Sequence, residues 1–166
     1  MDKTEIIFRD ATIYDFDKII ELYKKLYTME YIIENKISPN IKEPEDYFLS
    51  RDFKKEVNAR KDWIEDEKSK FIVAIYDGKI VGYTKGNVKY HQKERTFILF
   101  DDEVIVDEEY ATKGIRDALI KELVTWGKKM GARRMMVFVF KGNRISRNNY
   151  KHIGLKDRHV CLSKEI

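Results

Sequence analysis

The sequence predicts one α/β domain over residues 1–166, a mixed and mostly antiparallel sheet flanked by helices on both faces. Three features carry that expectation. FIVAIYDGKIVGYTKGNVKY (71–90) is two β-rich runs parted by Asp77-Gly78, the strongest short hairpin signal in the chain. TFILFDDEVIV (96–106) follows as a third antiparallel strand. A helical pattern (115–130) then leads into the apolar run RMMVFVF (134–140), and strand, helix, strand in that order implies a parallel crossover.

The remaining elements fall around this centre. IIFRDA (6–11) reads as a short strand and TIYDFDKIIELYKKLY (12–27) as a helix, capped by Thr12 or Asp15, with Ile19, Leu22, Tyr23 and Leu26 in one apolar stripe. Residues 28–44 read as irregular, broken by Pro39 and Pro44. A second helical stretch (45–67) brings Tyr47, Phe48, Phe53, Val57 and Trp63 to the core. In 115–130, Ile115, Ala118, Leu119, Leu123, Trp126 and Met130 recur at helical spacing, with Gly131 placed to end the helix. The run 134–140 is expected to be buried on both faces. KGNRISRNNYKHIGL (141–155) reads as a loop and a short helix with Asn143 near its N-cap and Gly154 at its end, and RHVCLSK (158–164) as a strand that closes the sheet.

Composition limits the function. At 166 residues, 43% hydrophobic and 37% charged, the chain suits one domain with a real core, and two prolines with eight glycines leave little room for linkers. MDKTEIIFRD has no apolar stretch of signal-peptide length, and nowhere do about 18 apolar residues run together, so a soluble, cytoplasmic protein without membrane contact is expected. The single Cys161 allows no internal disulfide or cysteine metal cluster. His91, His152 and His159 have neither metal-ligand spacing nor a nucleophile partner, so no metal is expected. A net charge of +4 is too small to argue for nucleic acid, but it is unevenly spread. Residues 111–166 hold 14 Lys/Arg against 4 Asp/Glu, while residues 29–67 hold 7 against 11. One end would favour an anion and the other a cation; solvated helix faces that merely differ in charge are the alternative.

DEEYATKGIRDAL (107–119) sets a glycine and two cations where a strand passes into a helix. A helix N-terminus offers unpaired backbone N–H groups and about half a positive charge. Lys113, Arg116 and Gly114 add to it, and phosphate is the natural ligand. Neither G-x-x-x-x-G-K-[ST] nor G-x-G-x-x-G is present.

The order of parts around this turn resembles the GNAT superfamily of acyl-CoA-dependent N-acyltransferases, over nearly the whole chain. There a strand ending V-D-P-E-Y runs into a Q/R-x-x-G-x-G/A turn and a long helix; here VDEEY (106–110) is followed by ATKGIR (111–116). The family's N-x-x-A-x-x-x-Y-x-x-x-G-F segment is matched by NRISRNNYKHIGL (143–155). Two positions depart from the pattern. Ala111 stands where Gln or Arg is usual, and Arg116 replaces a small residue, where it either crowds a pyrophosphate or swings aside and pairs with it.

The resemblance implies an N-acetyltransferase that uses acetyl-CoA as cosubstrate and a primary amine as acceptor. Backbone N–H groups from Thr112 through Lys113, Gly114 and Ile115 to Arg116 would cradle the pyrophosphate beside Ala111. Val104 and Val106, with Ile105 between them, would pair with the pantetheine arm like an added strand. Asn143 would hold a pantetheine amide, with a helix cap as the other reading, and Ser146 falls among the same contacts. Tyr150 would be the proton donor to the departing thiolate, and Arg144, Arg147 and Lys151 candidates for the 3′-phosphate.

A neutral amine is needed for attack, and neutralising one of pKa ~10.4 at pH 7 costs roughly 4–5 kcal/mol. Asp101, Asp102 and Glu103 are candidates for the base, with period-two geometry placing Asp102 on one face and Asp101 with Glu103 on the other. Crowding and partial burial are expected to raise at least one of their pKa values. The resemblance makes Asp102 the first choice, since family members with a base on this strand often carry it two positions before the residue matched by Val104, and Glu103 is the second; acids that solvate a strand end are the alternative. The aromatics Tyr23, Tyr27, Tyr31, Tyr47 and Phe48 either line an acceptor pocket or pack. The charge asymmetry points to a cationic acceptor such as a polyamine, aminoglycoside or lysine side chain. An acyl-CoA-binding module without turnover remains the other function class, and a homodimer is left open.

Overall fold

In the computed structural model, which describes residues 5–34, 43–159 and 161, five strands form one sheet in the order β1 (Ile7–Asp10), β2 (Ser69–Tyr76), β3 (Lys79–His91), β4 (Thr96–Val106), β5 (Ala132–Val137). All pairs are antiparallel except β4 with β5. Asp77 and Gly78 both take positive φ, 50° and 70°, which the tight β2–β3 hairpin requires. Helix α1 (Phe16–Glu34) and the α2 (Pro44–Phe48) and α3 (Arg51–Glu65) pair cover one face. Helix α4 (Ile115–Lys129) and the Tyr150 end of α5 (Arg144–His152) cover the other. Among the described residues, no helix is long and apolar enough to cross a membrane.

Several boundaries differ from expectation. Helix α1 runs on to Glu34, because Tyr31 is buried and prolongs its apolar stripe; Pro39 lies outside the described residues. The stretch expected to be one helix from 45 to 67 is two. Pro44 opens α2 at its first turn, where a missing N–H costs nothing, and Ser50 caps α3 by accepting the Phe53 N–H at 3.1 Å. Strand β5 is shorter than 134–140 and is not buried on both faces. It is the last strand of the sheet among the described residues, Arg133 and Arg134 are exposed, and Phe138 beyond it is 79% exposed. Arg158, His159 and Cys161 belong to no strand, and the rest of the expected closing strand lies outside the described residues.

Two local features position the site. Parallel pairing between β4 and β5 ends at Asp101 opposite Val137, although β4 continues to Val106. Past that point one edge of β4 still pairs with β3 and the other opens into a cleft. The second feature is a bulge in β4: Gly86 pairs with Asp101 and Lys85 with Glu103, so Asp102 is an extra residue. Gly86 makes the bulge fit, since a Cβ there would lie 2.6 Å from the Phe100 carbonyl oxygen and 2.9 Å from Leu123. On the same face of the sheet, Gly127 lets α4 lie directly on Leu99.

Candidate active site

The bulge overturns the expected sorting of the three acids. Asp101 continues the Leu99 face toward α4 and α5, and Tyr150 of α5 donates to its Oδ2 at 2.8 Å. Glu103 faces α1 and α3, where Arg60 Nη2 donates to Oε1 at 2.5 Å and Tyr83 Oη to Oε2 at 2.6 Å. Asp102, the extra residue, turns to the Glu103 side and accepts from Lys85 Nζ at 2.6 Å and Asn87 Nδ2 at 2.5 Å, both on Oδ2. So Asp101 and Glu103, expected on one face, lie on opposite faces. Regular alternation fails wherever a strand carries an inserted residue.

Their environments differ as much as their directions. Asp101 is 3% exposed, and burial pushes its carboxyl up to about 7 against the opposing pulls of the Tyr150 hydrogen bond and the Arg116 charge. Glu103 is also raised by burial, opposed by Arg60, Tyr83 and Lys85. In both groups burial outweighs crowding by the neighbouring acids, which is a smaller contribution. Asp102 is the most open of the three, with 30% of its side chain exposed, and among the described residues its Oδ1 has no partner.

Glu103 belongs to a buried network that the sequence does not announce. Arg60 is 1% exposed, bridges Glu103 and Glu56 (3.1 Å), and lies 3.6 Å from the centre of the Tyr23 ring. Tyr23 and Tyr47 both donate to Glu56. The aromatics Tyr27, Tyr47, Phe48 and Phe53 pack on one another beside it. Tyr27, Tyr47 and Phe48 thus pack in this cluster.

The turn before α4 forms as expected. Asp107 holds the N–H of Glu108 at 3.1 Å and is itself gripped by Lys25 Nζ at 2.9 Å. A 3-10 turn, Glu108–Lys113, follows, and Gly114 enters the helix at φ 71° with no side-chain cap. A Cβ at Gly114 would meet nothing within 4 Å, so glycine is required there by backbone conformation rather than by crowding. The N–H groups of the first turn of α4 are left without helical partners. Ala111, Thr112, Lys113 and Gly114 are exposed, while the Ile115 side chain is wholly in the core and offers only its backbone. Lys113 lies back over Tyr76, 4.6 Å from the ring centre.

Arg116 turns away from the exposed turn. Its guanidinium crosses to α5, 5.1 Å from the centre of the Tyr150 ring and 3.4 Å from Ser146 Oγ, and its Nε is buried without a partner among the described residues. It lines the β4–β5 cleft together with Asp102, Glu103, Val104, Asn143, Ser146 and Tyr150. The cleft therefore unites seven of the predicted residues from three distant stretches. Ile105 sends its side chain to the opposite face of the sheet and Val106 packs against the α4 core, leaving their backbones to serve the open strand edge.

Asn143 caps α5, accepting the Ser146 N–H on Oδ1 at 3.0 Å. The cap reading thus holds, and Oδ1 is engaged by it. Arg147 and Lys151 both pair with Asp157, at 3.1 and 2.7 Å, which partly neutralises them; Arg144 is exposed. The residues missed by sequence reasoning are Asp101, as the partner of Tyr150, and Arg60. An isolated glycine inside a strand pattern, Gly86, was the signal for the bulge and so for Asp101; Arg60 left none among its exposed neighbours on α3.

The description "Acetyltransferase (GNAT) family" belongs to the family model that matches residues 29–155. A curated relative, an uncharacterized N-acetyltransferase of Methanocaldococcus jannaschii, is 24% identical over 161 residues; the match takes in 92% of this chain and 61% of that protein, so the chain spans less than two thirds of its length. Among solved structures, a Bacillus halodurans protein solved as a mutant is 16% identical with a TM-score of 0.81, covering 96% of this chain and 99% of that one. An aminoglycoside N-acetyltransferase solved in complex with CoA is 14% identical with a TM-score of 0.75, covering 99% of this chain and 97% of that one. At these identities the structural likeness speaks for the fold.

Proposed function

Because the chain belongs to the acetyltransferase (GNAT) family, we propose that residues 1–166 form one N-acetyltransferase domain that moves an acetyl group from acetyl-CoA to a primary amine by direct attack. The observation that carries the reading is the cleft where β4 leaves β5, with Tyr150 and Asn143 on one wall and, on the other, a strand edge unpaired among the described residues. The residues fit the cosubstrate. Unpaired N–H groups at the start of α4 suit a pyrophosphate, the open edge at Val104 and Val106 suits the amides of a pantetheine arm, and Arg116 adds a positive charge to the lining of the cleft. When bound, acetyl-CoA supplies an activated acyl group as a thioester.

The chain's own groups do the rest. Asp102 is the stronger choice for the base, since both oxygens of Glu103 are already engaged by Arg60 and Tyr83. Its open Oδ1 takes a proton from the acceptor ammonium directly or through water, while Lys85 and Asn87 hold its other oxygen. Glu103 orients this corner of the strand. Tyr150 lines the cleft, and its hydroxyl, once it turns from Asp101, stabilises the leaving sulfur by hydrogen bonding.

The acceptor is a cationic amine. Beside Asp102 and Glu103, Glu30 on α1 is pushed up to about 7 by burial and by the charge of Glu103, so the acceptor side is rich in acid. Aminoglycosides, the substrates in the name of one structural relative, are among the cationic amines that suit it. An amine panel assayed by thiol release from acetyl-CoA should show turnover with polyamines, aminoglycosides or lysine peptides. Turnover confined to neutral or acidic amino compounds would overturn the cationic assignment.

One observation favours a second reading, an acyl-CoA-binding module without turnover: Arg116 reaches into the cleft beside Tyr150, where the family carries a small residue. Thiol release with any amine eliminates it.

A further inference from the structure

Tyr150 poses a problem as a proton donor. A free phenol (pKa ~10) is a weaker acid than a thiol (~8.5), and here burial and the nearby Asp101 raise Tyr150 further. Its hydroxyl does not stand free in the cleft; it points back to Asp101 Oδ2 at 2.8 Å, in a pair that is 5% and 3% exposed. Among the described residues Asp101 Oδ1 is buried with no partner, so within them only Tyr150 hydrogen-bonds this carboxyl. From these contacts, and resting on the acetyltransferase reading above, we infer that Asp101 is a positioning residue that acts through Tyr150, reloading the phenol with a proton as the thiolate leaves.

The proton balance closes. When the carbon–sulfur bond breaks, sulfur keeps the electron pair and takes the Tyr150 proton, and Asp101, in its protonated form, passes its own proton to the phenolate oxygen. CoA leaves as the thiol, Tyr150 is restored and Asp101 is left as a carboxylate. The acceptor nitrogen loses two protons, one when the ammonium is neutralised and one after its bond to the acetyl carbon has formed; both pass by way of Asp102 to water, one returns to Asp101 through the cleft and Tyr150, and the other is released. A carboxyl pushed up to about 7 is a stronger acid than a thiol of ~8.5, so the overall transfer runs downhill.

The same pair acts as a switch. Ionised Asp101 holds the Tyr150 hydroxyl as an acceptor, whereas protonated Asp101 frees it to point at sulfur. The charged groups around Asp101 are Arg116 from α4, Tyr150 from α5, and Asp102 and Glu103 on its own strand; Gly86 on β3 and Val137 on β5, its paired neighbours, carry none. The alkaline limb of kcat should therefore fall near pH 7.

Two measurements test this. In Asp101→Asn, the amide keeps the shape and the contact to Tyr150 but has no proton to give. kcat below pH 7 should fall about tenfold or more, the alkaline limb near pH 7 should disappear, and KM for acetyl-CoA should change little. The second uses the resting wild-type protein with ζ-carbon-labelled tyrosine, whose Tyr150 13C resonance should step near pH 7 as Asp101 ionises; it stands even if the variant does not fold. A variant that keeps both its rate and its alkaline limb, or a Tyr150 resonance that is flat between pH 6 and 8, overturns the inference while acetyl transfer by the wild type stands. Absence of turnover with every amine instead overturns the acetyltransferase reading itself.

Discussion

Arg60→Ala should destabilise the protein by about 3–5 kcal/mol, because it leaves a buried carboxylate without its partner. The guanidinium is 1% exposed and spans Glu103 and Glu56 at 2.5 and 3.1 Å. With it gone, Glu103 keeps only the Tyr83 hydroxyl, and the Arg60 stem no longer fills the space under Tyr23. In a chain of 166 residues the loss corresponds to roughly 10 °C in Tm. The sign of the pH dependence follows. The Glu103 pKa is already raised by burial, so the folded state holds its proton more tightly than the unfolded chain and stability falls as pH rises through the folded pKa. Removing Arg60, which pulls that pKa down, makes the fall steeper and carries it to higher pH. Calorimetry at pH 5 and pH 8 checks both points. Arg60→Met combined with Glu103→Gln should recover part of the loss, since removing both charges is milder than stranding one. A single variant as stable as wild type would mean that Arg60 does not carry the network.

Tyr150→Phe should lower kcat about 10²-fold or more while leaving KM for acetyl-CoA within a few-fold. The phenyl ring still fills its place in the α4 core. The lost hydroxyl removes the donor to the leaving sulfur. It also strips Asp101 of its partner, so both carboxyl oxygens become buried and unpaired, at a cost of about 1–3 kcal/mol where Asp101 is ionised. Steady-state thiol release together with Tm at pH 6 and pH 8 separates the two effects: the rate loss is expected at both, the Tm loss mainly at pH 8. A variant with wild-type kcat would remove Tyr150 from the chemistry.

How much of this was legible depends on what each feature is made of. The β2–β3 hairpin, the run of β4 and the limits of α4 are written in local chemistry, an Asp-Gly turn, β-rich runs and glycines at positive φ. Those local signals are strong and were read correctly. The turn at Gly114 was legible from the glycine and cations ahead of a helical pattern, and the Asn143–Tyr150 segment from the family resemblance; Asn143, Ser146 and Tyr150 line one cleft. The direction of the acids was not legible from alternation alone, because one bulged residue at Asp102 exchanges the faces of everything after it. Nor was the inward course of Arg116, which is set by α5 packing thirty residues further along. The half-exposed β5 was misread because an apolar run signals burial, whereas exposure depends on where the strand sits in the sheet.

Acetyl-CoA binding is the premise on which every catalytic role above depends, and a thermal shift measures it without knowledge of the acceptor. At a hundredfold excess over Kd, acetyl-CoA should stabilise the fold by about 2.7 kcal/mol, or roughly 5–10 °C in Tm, with inorganic phosphate alone giving far less. An unchanged Tm at millimolar acetyl-CoA, or a shift that phosphate reproduces in full, would contradict the assignment of the β4–β5 cleft as an acyl-CoA site.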